Sequence, residues 1–274
     1  MSFEINKTMI DGRELVYLTI PEFSRSGLVK HCFTTRVGGV STGIYSTLNT
    51  SLAKEDPREN VMKNLDSVCR AIDIDYTKLI RSDQVHEDVI RIVRKEDEGK
   101  GTSRPNDMKG VDALITNVPG VPLITFYADC VPIFILDPKN KAVGLVHSGW
   151  RGTVKKIGAK TLKKMKEAFG TEPEHCFAGI GPSIEKKCFE VGWDTASEFI
   201  NRFGGKDIYM EKKDDGKYLV DLWRVNRDML QEEGVPVENI NISGFCTKCG
   251  SELFFSHRRD KGRTGSLSAI IELV

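Results

Sequence analysis

No stretch of this chain is apolar for long enough to span a bilayer, and its opening residues, Met1-Ser2-Phe3-Glu4-Ile5-Asn6-Lys7, lack the apolar core of a secretion signal. Net charge is nearly absent as well. With 40 basic residues against 39 acidic ones the formal charge is +1, so no overall field draws the protein to nucleic acid or to an anionic membrane. Linkers rich in Gly/Ser or Pro, low-complexity tracts and repeats of 20 to 50 residues are also missing, and the 274 residues read as one domain, 1–274. No heptad pattern or long apolar helix face is visible, which makes a monomer the default. The expectation is a cytoplasmic protein whose partners are small molecules, with neither nucleic acid nor a membrane among them.

Disulfide spacing is absent too. Seven cysteines, an odd number, are scattered irregularly, and a reducing compartment keeps them as thiols. A cysteine with a special role is then catalytic or metal-binding. Cys246-Thr247-Lys248-Cys249 is a lone C-x-x-C, half of a four-cysteine zinc site with no second pair, and reads as structural or incidental. The zinc deaminase signature, H-x-E with P-C-x-x-C, is not present: Glu87 follows His86 directly and Phe245 precedes the C-x-x-C.

What is there begins with strand-like runs at Leu15–Ile20, around Cys32–Thr35, at Val89–Val93, Val111–Thr116, Leu123–Tyr127 and Ala142–Val146. Helical spacing links Val61, Leu65, Val68 and Ile72 after Pro57, and Ile157, Leu162, Met165 and Phe169 before Gly170. A further helix is predicted over Asp221–Glu233, with Asp221 as cap and Gly234 as stop. The strands bunch rather than alternating with helices, which predicts a mixed α/β, α+β-like fold of mixed sheets flanked by helices. The polar stretch Lys95–Lys109, with Gly99, Gly101 and Pro105, predicts a long exposed loop.

Three segments carry candidate chemistry: Gln84-Val85-His86, Asp129-Cys130 and His147-Ser148-Gly149-Trp150-Arg151-Gly152, the last two at ends of strand-like runs. Two imidazoles and a thiolate make a three-ligand zinc site with an open fourth position, the arrangement of catalytic zinc. The same atoms allow a Cys130 nucleophile with His147 as general base, or a buried thiol beside two hydrogen-bonded histidines with no chemistry at all. Arg36-Val37-Gly38-Gly39-Val40-Ser41 has the composition of an anion-binding turn, and Gly149–Gly152 would open a helix whose N-terminus favours negative charge. Gly179-Ile180-Gly181-Pro182-Ser183 reads as a tight loop, His257–Arg263 as a solvated basic turn, and His31 and His175 as structural.

Together, Cys32–Ser41, Leu48-Asn49, Gln84–His86, Asp112–Thr116, Tyr127–Pro132, Val146–Gly152, Gly179–Pro182 and Phe255–Asp260 resemble the laccase-domain family, also called polyphenol oxidase-like or peptidoglycan-editing-factor proteins, which includes FAMIN-type purine nucleoside phosphorylases. The resemblance implies zinc on His86, Cys130 and His147, with copper an adventitious occupant. It implies a mixed α/β fold like that of Cys-His deamidating toxins. It also implies phosphorolysis of adenosine, inosine, guanosine and methylthioadenosine, together with adenosine deamination. By the same resemblance Arg36 and Asn49 line the pocket, with Asp129 a neighbouring polar residue. Taken with the reading of the residues, Cys130, His147 and Asp129 are the catalytic candidates, Asp129 as proton carrier in deamination, and Arg36, Asn49, Ser148 and Arg151 the candidates for contact with purine nucleoside and phosphate. One departure is Thr264-Gly265-Ser266, where many relatives carry a basic residue after the glycine. The alternatives are an amidohydrolase editing UDP-MurNAc-L-Ser and a non-catalytic, zinc-stabilised nucleotide-binding protein. Copper oxidation of phenols is disfavoured, because three-centre copper sites consume more imidazoles than five histidines supply.

Overall fold

The computed structural model describes residues 3–204 and 208–274. Two six-stranded sheets lie face to face. The first runs, in spatial order, Glu4–Ile10, Arg13–Thr19, Val29–Thr34, Leu267–Leu273, Leu123–Tyr127 and Ile80–Arg81. The second runs Ile240–Ile242, Phe177–Ile180, Val131–Asp137, Ala142–Ser148, Ala113–Thr116 and Ile90–Ile92. Both mix parallel and antiparallel pairs, and a small three-stranded sheet, Glu190–Val191, Tyr218–Val220 and Met210–Lys212, sits at the side.

Side-chain alternation builds the layers. In the first sheet Phe33, Leu123, Ala269 and Ile271 face the second sheet and meet its Leu114, Phe134, Leu136 and Leu145 in one core. Their neighbours Cys32, Ile124 and Ile270 point the other way, onto Val61, Leu65 and Val68 of the helix Arg58–Ala71. In the second sheet Ala113, Ile115, Ile133 and Val146 point outward onto the helices Ile157–Phe169, Trp193–Phe203 and Leu222–Glu232. Strands covered on both faces are apolar along most of their length, and Val131–Asp137 and Ala142–Ser148 are buried at every position, their polar ends Asp137, His147 and Ser148 included. Each fully buried Leu, Ile, Val or Phe contributes about 1.5–3 kcal/mol of apolar burial.

The helices follow the spacing read from the sequence. Ile157–Phe169 ends at Gly170, whose φ of 72° is the left-handed conformation that glycine enters without a Cβ penalty. Asp221 caps Leu222–Glu232 by accepting a hydrogen bond from the Arg224 amide. The segment Lys95–Lys109 is exposed in part, at Lys95, Glu96, Ser103, Arg104, Pro105, Asp107 and Lys109, in line with the loop expected. Asp97, Thr102 and Met108 are buried within it, and Lys100 bridges Asp97 at 2.9 Å and Asp107 at 2.8 Å. Polarity there reflects internal pairing as well as exposure. Among the described residues no helix is long and apolar enough to cross a membrane.

Candidate active site

Strand Leu123–Tyr127 belongs to the first sheet and Val131–Asp137 to the second, so Ala128-Asp129-Cys130 is the crossing between them. Asp129 takes a φ of 88°, unusual for a residue with a Cβ, and is held there from both carboxylate oxygens: Thr247 Oγ1 and the Arg258 amide each donate at 2.6 Å. That turn aims Cys130 at the neighbouring strand end. Val131–Asp137 pairs antiparallel with Ala142–Ser148 in a register that sets Pro132 opposite His147. His147 is therefore buried beside the cysteine, while His86 reaches the same place from an exposed loop. The ligand atoms of His86, Cys130 and His147 all lie within 4.8 Å of one another.

One carboxylate organises both imidazoles. Asp112, fully buried at the head of Ala113–Thr116, accepts from His147 Nδ1 at 2.7 Å, which leaves Nε2 for the cysteine side. It also accepts the amides of Val85, His86 and Glu87 at 3.2, 3.1 and 2.8 Å. His86 has a φ of 64°, and the fan of amides around Asp112 holds that conformation. Burial opposes the Asp112 charge, but the His147 bond and the backbone donors outweigh it and lower the pKa. Tyr127, whose hydroxyl donates to the Val146 carbonyl at 3.0 Å, packs its ring 5.5 Å from that of His147.

The electrostatics favour a charged pair. Burial works against a thiolate at Cys130, yet the His147 and His86 rings hold the thiol down at about 6. Burial likewise works against protonated His147, and the Cys130 sulfur together with Asp112 pushes it up to about 9. A thiolate at neutral pH is what a soft divalent cation requires. Once His147 gives up its Nε2 proton to make way for a metal, two ring nitrogens and one sulfur at this separation, with the Asp112 carboxylate holding the Nδ1 proton, fit a three-ligand zinc site. Gly149 leaves room for the cluster: a Cβ there would lie 2.9 Å from His86 Cδ2 and 3.2 Å from Cys130 Sγ.

Two clefts meet at the trio. One, of about 460 Å³, is walled by Trp150, Ile184 and Phe189, with Arg151, His257 and Arg258 at its polar side. Arg151 stacks its guanidinium 4.4 Å from the Trp150 ring. The other, of about 270 Å³, carries Lys54, Arg81 and Gln84 opposite Phe126 and Ser266. Lys54 and Arg81 are half-buried, and burial lowers the pKa of both. Arg81 Nε is buried without a hydrogen-bond partner. Charges that are partly buried are costly unless a counter-ion offsets them, which makes this cleft suited to an anion.

The other residues expected at the site fall in several places. Asp129 is adjacent to Cys130, but both its oxygens are engaged as described. Arg151 lines the larger cleft. Ser148 is fully buried between Asn226 and Thr153, at 2.8 and 3.0 Å. Asn49, also fully buried, donates to Asp56 Oδ2 at 2.9 Å and accepts the Ser266 amide at 2.9 Å, so it shapes the wall behind Ser266. Arg36 is not brought to the trio's clefts. It stacks over Phe255, donates to the Ser46 carbonyl at 3.0 Å and opens onto a separate groove with Ser251 and Glu252. His31 is structural, accepting the Ile20 amide at 2.7 Å.

Several contributors were not given site roles from sequence. Asp112 and His257 had a visible signal, each lying in a motif that carries the family resemblance. Lys54, Arg81, Ile184 and Phe189 had none, since only the fold carries them to the two clefts.

Comparison with known proteins identifies the family and the fold. The sequence profile of a family described as multi-copper polyphenol oxidoreductase laccase matches residues 30–274. Purine nucleoside phosphorylase YlmD of Bacillus subtilis is 36% identical over 241 residues, 87% of this chain and 86% of the relative. A purine nucleoside phosphorylase of Deinococcus radiodurans is 37% identical over 246 residues, 89% of each chain. The crystal structure of YlmD from Geobacillus stearothermophilus superposes with a TM-score of 0.89 at 31% identity, covering 98% of this chain and 99% of that one. Bacillus licheniformis hypothetical protein YfiH gives the same TM-score at 34% identity, covering 94% and 96%. The chain therefore belongs to the laccase-like family to which YlmD and YfiH also belong.

Proposed function

We propose that this protein is a zinc-dependent purine nucleoside phosphorylase acting on adenosine, inosine, guanosine and S-methyl-5'-thioadenosine, with adenosine deamination as a second activity in the same site. The observation that carries the reading is the meeting of an aromatic-walled cleft and a cationic cleft at His86, Cys130 and His147. Relatives about one-third identical bear the name purine nucleoside phosphorylase, which supports the same substrate class.

His86, Cys130 and His147 would hold the metal, and a zinc ion there supplies a Lewis acid and lowers the pKa of water. The remaining work falls to the chain. Phe189, Ile184 and Trp150 take the flat apolar base and exclude water from it. Lys54 and Arg81 bind phosphate and aim one of its oxygens at the anomeric carbon, which holds two reactants in a near-attack geometry. The C–N glycosidic bond breaks, its electron pair leaving with the purine, while a phosphate oxygen forms the new C–O bond. Positive charge developing on the ribose is met by the phosphate dianion. His257, on the wall of both clefts, is placed to donate the hydrogen bond that the departing base needs. Asp112 keeps His147 in one tautomer throughout.

Incubation of zinc-loaded protein with adenosine, with and without phosphate and beside Cys130→Ala, tests this. Adenine and ribose 1-phosphate appearing only with phosphate, and only in the parent, are the expected result. Inosine formed without phosphate reports the deaminase. Absence of turnover of adenosine, inosine and methylthioadenosine by metal-replete protein overturns the reading and favours amide hydrolysis of a UDP-linked muramoyl substrate.

A further inference from the structure

A second set of metal-type ligands lies apart from the trio. Glu185, Cys188, Cys246 and Cys249 converge so that all four ligand atoms lie within 4.8 Å of one another. Cys188 Sγ is 3.3 Å from Cys249 Sγ. Glu185 Oε1 is 3.9 Å from the first of these sulfurs and 3.7 Å from the second. The Glu185 amide donates to Cys246 Sγ at 3.5 Å. These residues form two short segments of like spacing, E-x-x-C at 185–188 and C-x-x-C at 246–249.

Backbone pairing brings the halves together. Ser183 and Cys246 form a parallel bridge, the Ser183 amide donates to the Phe245 carbonyl at 3.2 Å, and the Thr247 amide donates to the Ser183 carbonyl at 3.1 Å. The Gly250 amide closes the C-x-x-C turn onto the Cys246 carbonyl at 2.9 Å. Cys188 and Cys246 are buried, Glu185 is half-buried and Cys249 is exposed, so an ion could enter from one side and then be enclosed. Three thiols and a carboxylate this close repel one another once ionised, and a divalent cation relieves that repulsion.

We propose that Glu185, Cys188, Cys246 and Cys249 form a second, structural zinc site of Cys₃Glu type, independent of the reaction assigned to the trio. Zn–S bonds of about 2.3 Å in a tetrahedron set sulfurs about 3.8 Å apart, so only small shifts of the side chains seen here would seat the ion. Four protein ligands close the coordination sphere, which is the mark of a structural site. The two clipped segments also build the wall beside Cys130. Ile184 and Phe189 flank the first segment and line the larger cleft, and the Ile184 amide donates to the Asp129 carbonyl at 3.0 Å. Thr247, inside the second segment, supplies one of the two hydrogen bonds that hold the Asp129 carboxylate. Zinc here therefore fastens a loop from the second sheet to a C-terminal turn at the back of the active site.

Zinc content of the full chain, purified under reducing conditions without chelator, is read by elemental analysis and native mass spectrometry. The parent is expected to hold about two zinc ions, and Cys249→Ser about one, since a closed structural site loses its ion when one of its four ligands goes. As a second measurement that does not disturb this cluster, His86→Ala/His147→Ala is expected to retain one zinc. Its cobalt-exchanged form is expected to show a thiolate-to-cobalt charge-transfer band more intense per ion than that of a one-thiolate site, since three soft thiolates rather than one would bind the metal. A well-folded His86→Ala/His147→Ala protein without zinc overturns the proposal. So does a native mass two hydrogens lighter than the reduced chain with Cys188 and Cys249 joined and no second ion.

Discussion

Replacing Asp112 by Asn isolates the carboxylate that both imidazoles depend on, because size and shape are kept while one oxygen becomes an NH₂ group. Asp112 Oδ1 faces the His86 amide and His147 Nδ1, and Oδ2 faces the Val85 and Glu87 amides. With the NH₂ on the Oδ2 side the new donor meets two amide donors; on the Oδ1 side it meets the His86 amide, while His147 accepts by changing tautomer. Each buried donor left unpaired costs about 1–3 kcal/mol, so a destabilisation of at least about 1 kcal/mol is expected. The site loses more than stability. His147 is freed to the other tautomer and the His86 loop loses its anchor, and loss of such outer partners weakens metal affinity by about 10–100-fold, or about 1.4–2.7 kcal/mol. The Asp112 pKa is lowered on folding, so its contribution is present above the ordinary carboxylate range and is lost as the pH falls through the depressed folded value. Zinc affinity is measured by competition with a chromophoric chelator, and stability by urea denaturation at neutral pH of the chelator-treated proteins. An Asp112→Asn protein that binds zinc within twofold of the parent and turns over nucleoside at the parental rate would refute the claim that this carboxylate orients the trio.

Three further outcomes follow from the same geometry. Cys130→Ala is expected to abolish phosphorolysis and to lose the trio's metal while melting within a few degrees of the chelator-treated parent, read by product analysis and calorimetry. Gly149→Ala keeps an ordinary backbone, with φ of −62°, but drives a methyl against His86 and Cys130; turnover is expected to fall by at least tenfold with the fold intact by circular dichroism. His31 is held neutral, with burial lowering its pKa from 6.5 to about 4. The unfolded chain therefore binds the extra proton first, and stability fully present above pH 6.5 declines as the pH falls toward 4, by at most about 3 kcal/mol. Urea midpoints at pH 7 and pH 4.5 are expected to differ less in His31→Gln than in the parent.

Much of the fold was legible because local rules decided it. The helix Ile157–Phe169 follows from its apolar spacing and its terminal glycine, and Leu123–Tyr127 and the strand over Ala142–Val146, which the structure extends to Ser148, from largely apolar runs. His147 and Cys130 stood out because each is a reactive side chain at a strand end. Register was not legible, and register decides which strand ends meet. Nothing in the segment around Asp112 states that it lies alongside Ala142–Ser148 with its carboxylate under His147. Composition does not show which cleft a cation serves. Arg36 beside two glycines has the look of an anion site, and its guanidinium donates to the carbonyls of Ser46 and Ser251 beside a groove separate from the trio. Lys54 and Arg81, in unremarkable polar stretches, are the cations that the fold leaves half-buried at a cleft. The C-x-x-C looked like half a site, and its complement, sixty-odd residues upstream, is brought to it only through the pairing of Ser183 with Cys246.

The crossing Ala128-Asp129-Cys130 has a positional consequence. Among the described residues it is the shortest link between the two six-stranded sheets, and its sulfur-bearing residue stands directly before Val131, which pairs with Ser148. His147 belongs to that same pair of strands, and Asp112, which holds both imidazoles, heads the next strand of the same sheet. Thiol and rings therefore take their positions from one sheet, at the point where the chain changes layers.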